Sequence, residues 1–235
     1  MMETHELAMK PGVEALRALP LIGGADLILL ARLNEVADLA RVGPDEDLLR
    51  EGDVLGELNF LLAGQAAATH TQPSGIVALL DVMLPVRPLC LPAALQRLPA
   101  PIGVRTLTSA RLIVLPVAEL RAMIRDSPDL APPFLDYALN EMHRLTQEIC
   151  ALKLQSSAQR LASYLLGLVQ ETELSPARFI LPFEKRLLAA RVGCSQENLS
   201  RAFATLRRIG VETQRGVVVV RDLQSLRAFS EGIRT

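Results

Sequence analysis

The sequence predicts an α+β fold in three parts: a β-rich N-terminal half, a long amphipathic helix, and a helical C-terminal third closed by a β-hairpin. Three observations carry this. From about Val54 to Val117 the apolar runs are short and rich in β-branched residues, and Pro and Gly punctuate them in "QPSG", "LPVRP" and "LPAP". Leu135, Ala138, Met142, Leu145, Ile149 and Leu152 then follow spacings of 3, 4, 3, 4 and 3, the a/d seam of a long helix. Finally, "GCSQENLSRAFATL" (Gly193 to Leu206) puts Leu199, Ala202, Phe203 and Leu206 on one helical face and Glu197, Ser200 and Arg201 on another.

Composition sets bounds on what such a chain does. At 235 residues it has room for one large domain or two smaller ones, and 50% hydrophobic residues suffice for a core. No run of eighteen apolar residues is free of charge, so no spanning helix is expected. "MMETHELAMK" lacks a basic-then-apolar signal, which predicts a cytoplasmic protein. Cys90, Cys150 and Cys194 are odd in number, widely spaced and without a CxxC, which argues against a disulfide framework, a zinc site and an iron–sulfur cluster. The three histidines are dispersed and offer no base to a cysteine nucleophile, so an enzyme is not expected. Charge is uneven: residues 1–156 hold 13 basic and 19 acidic side chains, net −6, whereas residues 157–235 hold 12 and 7, net +5. A basic C-terminal third behind an acidic body implies an anionic partner for that third.

Taken in order, residues 12–40 read as helix, "VEALRAL" and "ADLILLARLNEVADLA" carrying apolar residues at three- and four-residue spacing. "GIVALLDVML" and "SARLIVLPV" read as strands of the β unit, and "VAELRAMIRDSP" as a helix ended near Pro128. The strict alternation of the seam gives a narrow apolar stripe, which favours a dimer over packing within one domain. "SSAQRLASYLLGLVQ" follows as an amphipathic helix with Ser156 or Ser157 placed to cap it. The expected divisions are 1–127, a β-rich unit with flanking helices; 128–156, a dimerisation helix; and 157–235, a C-terminal domain.

"FEKRLLAARVGCSQENLSRAFATLRRIGV" fits a helix-turn-helix: Ala189 is small, Gly193 sits where a tight turn needs positive φ, and Ser195 can cap the second helix. "VETQRGVVVVRD" adds a hairpin about Arg215–Gly216, the wing of a winged helix. The outward face Glu197/Ser200/Arg201 lies on the N-terminal half of the second helix, the half that enters the major groove in helix-turn-helix proteins. Arginine can fork onto guanine O6 and N7, a carboxylate can accept from the cytosine amine, and a hydroxyl serves either role. Lys185, Arg186, Ser195, Gln196, Arg207, Arg208 and Arg215 are the expected backbone contacts, which set register rather than sequence.

With these residues in view the sequence resembles the CRP/FNR superfamily of bacterial transcription regulators over nearly its whole length, most clearly over residues 150–222. Glu197, Ser200 and Arg201 match the E-x-x-S-R pattern of the FNR-type recognition helix. The resemblance implies a homodimer reading TTGAT half-sites of a palindrome, a cyclic-nucleotide-binding-like jelly roll as the β unit, and RNA polymerase as a further partner. "LQSSAQRLASYLLGL" and "LPFEKRLLAARVG" are most similar to the Dnr/NnrR-like branch, which implies nitric oxide sensing through haem.

The sensor half departs from the cyclic-nucleotide-binding pattern. In "PLCLPAALQRLPAPIGVRT" Pro92 falls near the place of the ribose-binding Glu, and Pro101 or Ile102 near that of the phosphate-binding Arg. A buried phosphate without a cation or free N–H donors is costly, so cAMP is not the expected effector. Arg97 or Arg105 would have to substitute through a register shift. The candidate effector pocket is Leu89, Cys90, Leu91, Arg97 and Arg105, and the candidate haem ligands are Cys90, His5 and His70. Cys90 also reads as a small buried hydrophobe, His70 as an exposed residue and His5 as part of a tail. Control by abundance alone, or a thiol switch at Cys194, stays open.

Overall fold

The computed structural model describes residues 6–75, 77–169, 175–181, 184–214 and 216–232. Two compact units divide the chain, residues 1–142 and residues 143–235.

The first unit opens with β1 (Glu6–Met9), α1 (Val13–Arg17) and α2 (Leu27–Val36). The single helical stretch expected over residues 12–40 is therefore broken. Pro20, Gly23 and Gly24 end α1 in a run of turns, and Asp26 starts α2 afresh, its Oδ1 accepting the amide of Leu29 at 2.8 Å. Ala37 is already extended, and Asp38 to Ala40 belong to β2 (Asp38–Val42), which pairs with the later "SARLIVLPV" strand. That long-range pairing outweighs helical periodicity, which cannot register a partner far along the chain.

The β unit continues with β3 (Asp47–Leu49), β4 (Glu57–Ala63), β5 (Ala66–Thr71), β6 (Val77–Met83), β7 (Arg87–Pro88), α3 (Leu91–Gln96), β8 (Gly103–Thr106) and β9 (Ala110–Pro116). Every pairing is antiparallel, in a five-stranded sheet ordered β1-β2-β9-β4-β7 and a four-stranded sheet ordered β3-β8-β5-β6. Leu61, Ala66, Leu89, Val104 and Leu112 fill the roll. Leu16, Leu30, Leu33, Phe60 and Leu115 form a second cluster against the flanking helices. The short helix α3, inside a stretch read as purely β, starts with Pro92 in its first turn and stops at Arg97 in the left-handed region (φ 56°).

α4 (Val117–Asp126) ends before a single 3₁₀ turn over Pro128–Leu130, and α5 (Ala131–Leu154) follows. Of α5 only Phe134 is buried. The second unit then holds α6 (Ser157–Leu166), β10 (Ala177–Ile180), α7 (Lys185–Val192), α8 (Gln196–Arg207), β11 (Val211–Gln214), β12 (Val217–Val220) and α9 (Leu223–Ser230). Ser156 is the cap of α6, completing a capping box with Gln159. The strands form one sheet ordered β10-β12-β11, and Leu161, Leu165, Leu188, Leu199, Leu206, Val218 and Leu226 pack beneath it. The fold is thus α+β, with an antiparallel β unit of cyclic-nucleotide-binding type, a long helix and a C-terminal winged helix-turn-helix.

Candidate nucleic-acid interface

α7 ends because Gly193 takes φ 71°, ψ 44°, which glycine adopts without steric cost. The amides of Gly193 and Cys194 then take the carbonyls of Ala190 and Ala189, each at 2.9 Å, closing the last turn. Ser195 restarts the helix, its Oγ accepting the Asn198 amide at 3.2 Å. Leu188 and Leu199 are fully buried against each other's helices, Ala189, Ala202 and Leu206 are buried, and Phe203 is half-buried. Burial of that stripe fixes which face of α8 remains outside.

The outer face carries Glu197, Ser200 and Arg201, all exposed, with the Glu197 and Arg201 side chains 73% and 72% accessible. Arg201 Nη2 donates to Glu197 Oε1 at 2.5 Å, so the pair is aligned one turn apart along the helix. Ser200 Oγ donates to the Gln196 carbonyl at 3.0 Å. Ser195 and Gln196 are exposed at the helix start. Lys185, Arg186, Arg207 and Arg208 are also exposed, and none forms an ion pair among the described residues. Arg215 lies outside the described residues; Gly216 after it takes φ 82°, as a tight hairpin requires. Across that hairpin Arg221 pairs with Glu212 at 2.5 Å.

Besides α9, which the sequence reading did not include, β10 and Arg160 escaped the sequence. β10 pairs with β12 from Ala177↔Val220 to Ile180↔Val217, although only one apolar residue of "ARFI" is fully buried and its pattern is weak. Arg160 is the other. Its Nη1 donates to the Gln155 carbonyl at 2.7 Å, its Nε to Val192 at 2.8 Å and its Nη2 to Gly193 at 3.0 Å. A basic residue one turn inside an amphipathic helix gives no sequence signal of such long-range targets.

The seam residues Leu135, Ala138, Met142, Leu145, Ile149 and Leu152 are all exposed on α5, together with Leu139 and Leu154. Arg87, half-buried on β7, joins that helix to the roll by ion pairs with Glu141 at 2.6 Å and Asp81 at 3.3 Å.

The sensor candidates do not converge on one cavity. Leu89 and Leu91 are buried in different core clusters, and Cys90 between them is half-buried at φ 48°. Burial pushes the Cys90 thiol up to about 11, with Arg87 opposing in part. Arg97 is exposed at the end of α3. Arg105 points outward from β8, between the buried Val104 and Thr106, and pairs with Asp47 at 2.8 Å; the hydrogen bond from Arg105 holds the Asp47 carboxyl below its usual value. His70 lies on β5 with Nδ1 2.7 Å from Glu51 Oε1, and His5 lies outside the described residues. Cys90, in the turn before α3, and His70, on β5 beside Glu51, stand on separate elements and are not brought together as a ligand pair. Cavities of about 250 Å³, walled by His143, Cys150 and Leu154 among others, and of about 480 Å³, walled by Arg41, Ala63 and Arg111 among others, touch none of them. Among the described residues no group of three His, Cys, Asp or Glu could hold a metal ion, and no helix is long and apolar enough to cross a membrane.

Helix, glycine turn, capped helix and hairpin define the second unit as a winged helix-turn-helix of the DNA-binding class. Residues 159–229 match the family described as the Crp-like helix-turn-helix domain. Among solved structures, a candidate cyclic nucleotide binding protein of Ruegeria pomeroyi DSS-3 is similar at 25% identity and TM-score 0.63, over 93% of this chain and 98% of that one. A CooA mutant from Carboxydothermus hydrogenoformans shares the fold at 12% identity and TM-score 0.72, over 95% and 100%. FixK2 from Bradyrhizobium japonicum does so at 16% and 0.68, over 82% and 96%. No curated protein matches the chain. The domain match and the shared architecture together support the CRP/FNR superfamily.

Proposed function

We propose that the chain is a cytoplasmic, homodimeric transcription regulator that reads a palindrome of FNR-like TTGAT half-sites. The observation that carries this is the exposed Glu197/Ser200/Arg201 face on the N-terminal half of a capped helix in a Crp-like domain. Lys185, Arg186, Ser195, Gln196, Arg207, Arg208 and Arg215 would contact phosphates. The exposed leucine-rich stripe of α5 supports pairing of two chains, because large side chains in such a row are costly to leave in water. Two recognition helices would then face half-sites about 34 Å apart, and RNA polymerase is the partner that such a regulator addresses. The role is binding rather than catalysis.

The effector is not cAMP in this reading, since Pro92, Pro101 and Ile102 supply neither carboxylate nor cation where a cyclic nucleotide would need them. Cys90 and His70 stand on separate elements and supply no paired ligands for the nitric-oxide-sensing haem of Dnr-like regulators, and control by abundance or by a thiol is the alternative. A gel shift with a TTGAT palindrome and a scrambled duplex tests the core claim: a discrete shift of the palindrome alone is expected, and equal retardation of both would contradict it. Titration with haem under anaerobic conditions should give only the broad band of unspecific binding. A saturable Soret band that moves on adding nitric oxide would reinstate the haem.

A further inference from the structure

Residues of α5, α6 and the helix-turn-helix meet at one guanidinium. The C-terminal end of α7 leaves carbonyls without helical partners, at the negative end of its dipole. Arg160 of α6 takes two of them, Val192 and Gly193, and with a third donor takes the carbonyl of Gln155, just past the end of α5. The planar fork of an arginine spreads its donors over three nitrogens and so reaches three separated acceptors, whereas a lysine offers all of its donors from one nitrogen. From the other side Leu152 of α5 rests on the same glycine: a Cβ at Gly193 would lie 2.5 Å from Leu152 Cδ2. Cys194 follows directly, its thiol flanked by Arg160 and by the Ser157 hydroxyl. The next residue, Ser195, caps the helix that carries Glu197, Ser200 and Arg201.

We infer that Arg160 is a positioning residue for DNA recognition, locking the helix-turn-helix turn to the end of the seam helix so that the state of the seam sets the pose of α8. The inference rests on the regulator reading above and assigns it a coupling element. Arg160 bonds three backbone carbonyls rather than facing outward with the arginines of the reading face. Its loss should therefore degrade site discrimination without removing a phosphate contact. Leu152, a seam residue half-exposed in the single chain, touches the same turn, so rearrangement of the seam would reach Gly193 directly.

The test uses the full-length chain in a Cys150→Ser background, which removes the exposed thiol of α5. Arg160→Lys should weaken binding to the palindrome by about tenfold, with binding to a scrambled duplex and the salt slope nearly unchanged. Cys194 should react with a disulfide reagent several-fold faster, because the turn beside it is no longer held. A fall in both affinities with a shallower salt slope would make Arg160 a phosphate contact instead. An unchanged affinity ratio or an unchanged Cys194 rate would also overturn the inference. Leu152→Ala, which keeps the guanidinium, should shift the ratio the same way by less, and stands as the test if Arg160→Lys does not fold. A wild-type chain without preference for the palindrome would defeat the regulator reading, whereas the Cys194 rate would still report on the lock.

Discussion

Arg201 is already held by Glu197 before any partner arrives, and this pairing shapes what each side chain is worth. An exposed i,i+4 pair adds only about 0.3–0.5 kcal/mol to a helix, too little to account for keeping both ions on a face that buries nothing. The pair does narrow the guanidinium's range, which lowers the ordering cost of a bidentate contact. Glu197, Ser200 and Arg201 were legible in sequence because the complementary apolar stripe defined their face. Arg160 was not, because its acceptors are backbone carbonyls whose positions only the fold supplies. Cys90 illustrates a second limit: its apolar neighbours were plain, but its half-buried, protonated state depends on packing. Its folded pKa of about 11 lies above the ordinary value of 9.0. The unfolded chain therefore loses its proton first, and the stability that this group contributes is present below about pH 9 and falls as pH rises towards 11. Urea titrations from pH 8 to 11 should show the decline, and Cys90→Ala should remove that part of it; an identical profile in the variant would contradict the assignment.

Among the elements, those with strong local signals were read correctly. The α5 helix, the capped α6, the α7–glycine–α8 unit and the wing hairpin each carry periodicity or punctuation within a dozen residues. Most of the failures are short: α9, eight residues long after the wing, was not read, and α3, β3, β7 and β10 are at most six residues long and form because distant parts of the chain accept them. β2 was read as helix for the same reason. α5 is the element whose single-chain structure is least self-sufficient. Its seam runs from Leu135 to Leu152, about 26 Å at 1.5 Å per residue, with every seam side chain exposed. Leu145→Asp together with Ile149→Asp should give a monomer in sedimentation velocity and abolish palindrome binding, leaving the circular dichroism of both units largely intact. A dimer that survives both charges would place the interface elsewhere.

For the whole molecule, the uneven charge orders the functions along the chain. A net −6 before residue 157 disfavours wrapping of nucleic acid around the sensor half, and a net +5 after it concentrates attraction on the winged helix. Binding should thus weaken steeply with salt, each phosphate contact contributing about 0.9 to the slope of log K against log salt. Lys185→Ala should lower that slope by about 1 and weaken all duplexes alike. Arg201→Ala should leave the slope of non-specific binding alone and cost about 1–3 kcal/mol against the specific site only. The most direct measurement is therefore a fluorescence anisotropy titration of the wild-type chain and Arg201→Ala against a TTGAT palindrome and its scrambled counterpart at two salt concentrations. The proposed reading face predicts that discrimination collapses in the variant while scrambled-duplex binding persists. Equal discrimination by both proteins would show that this face does not read the bases.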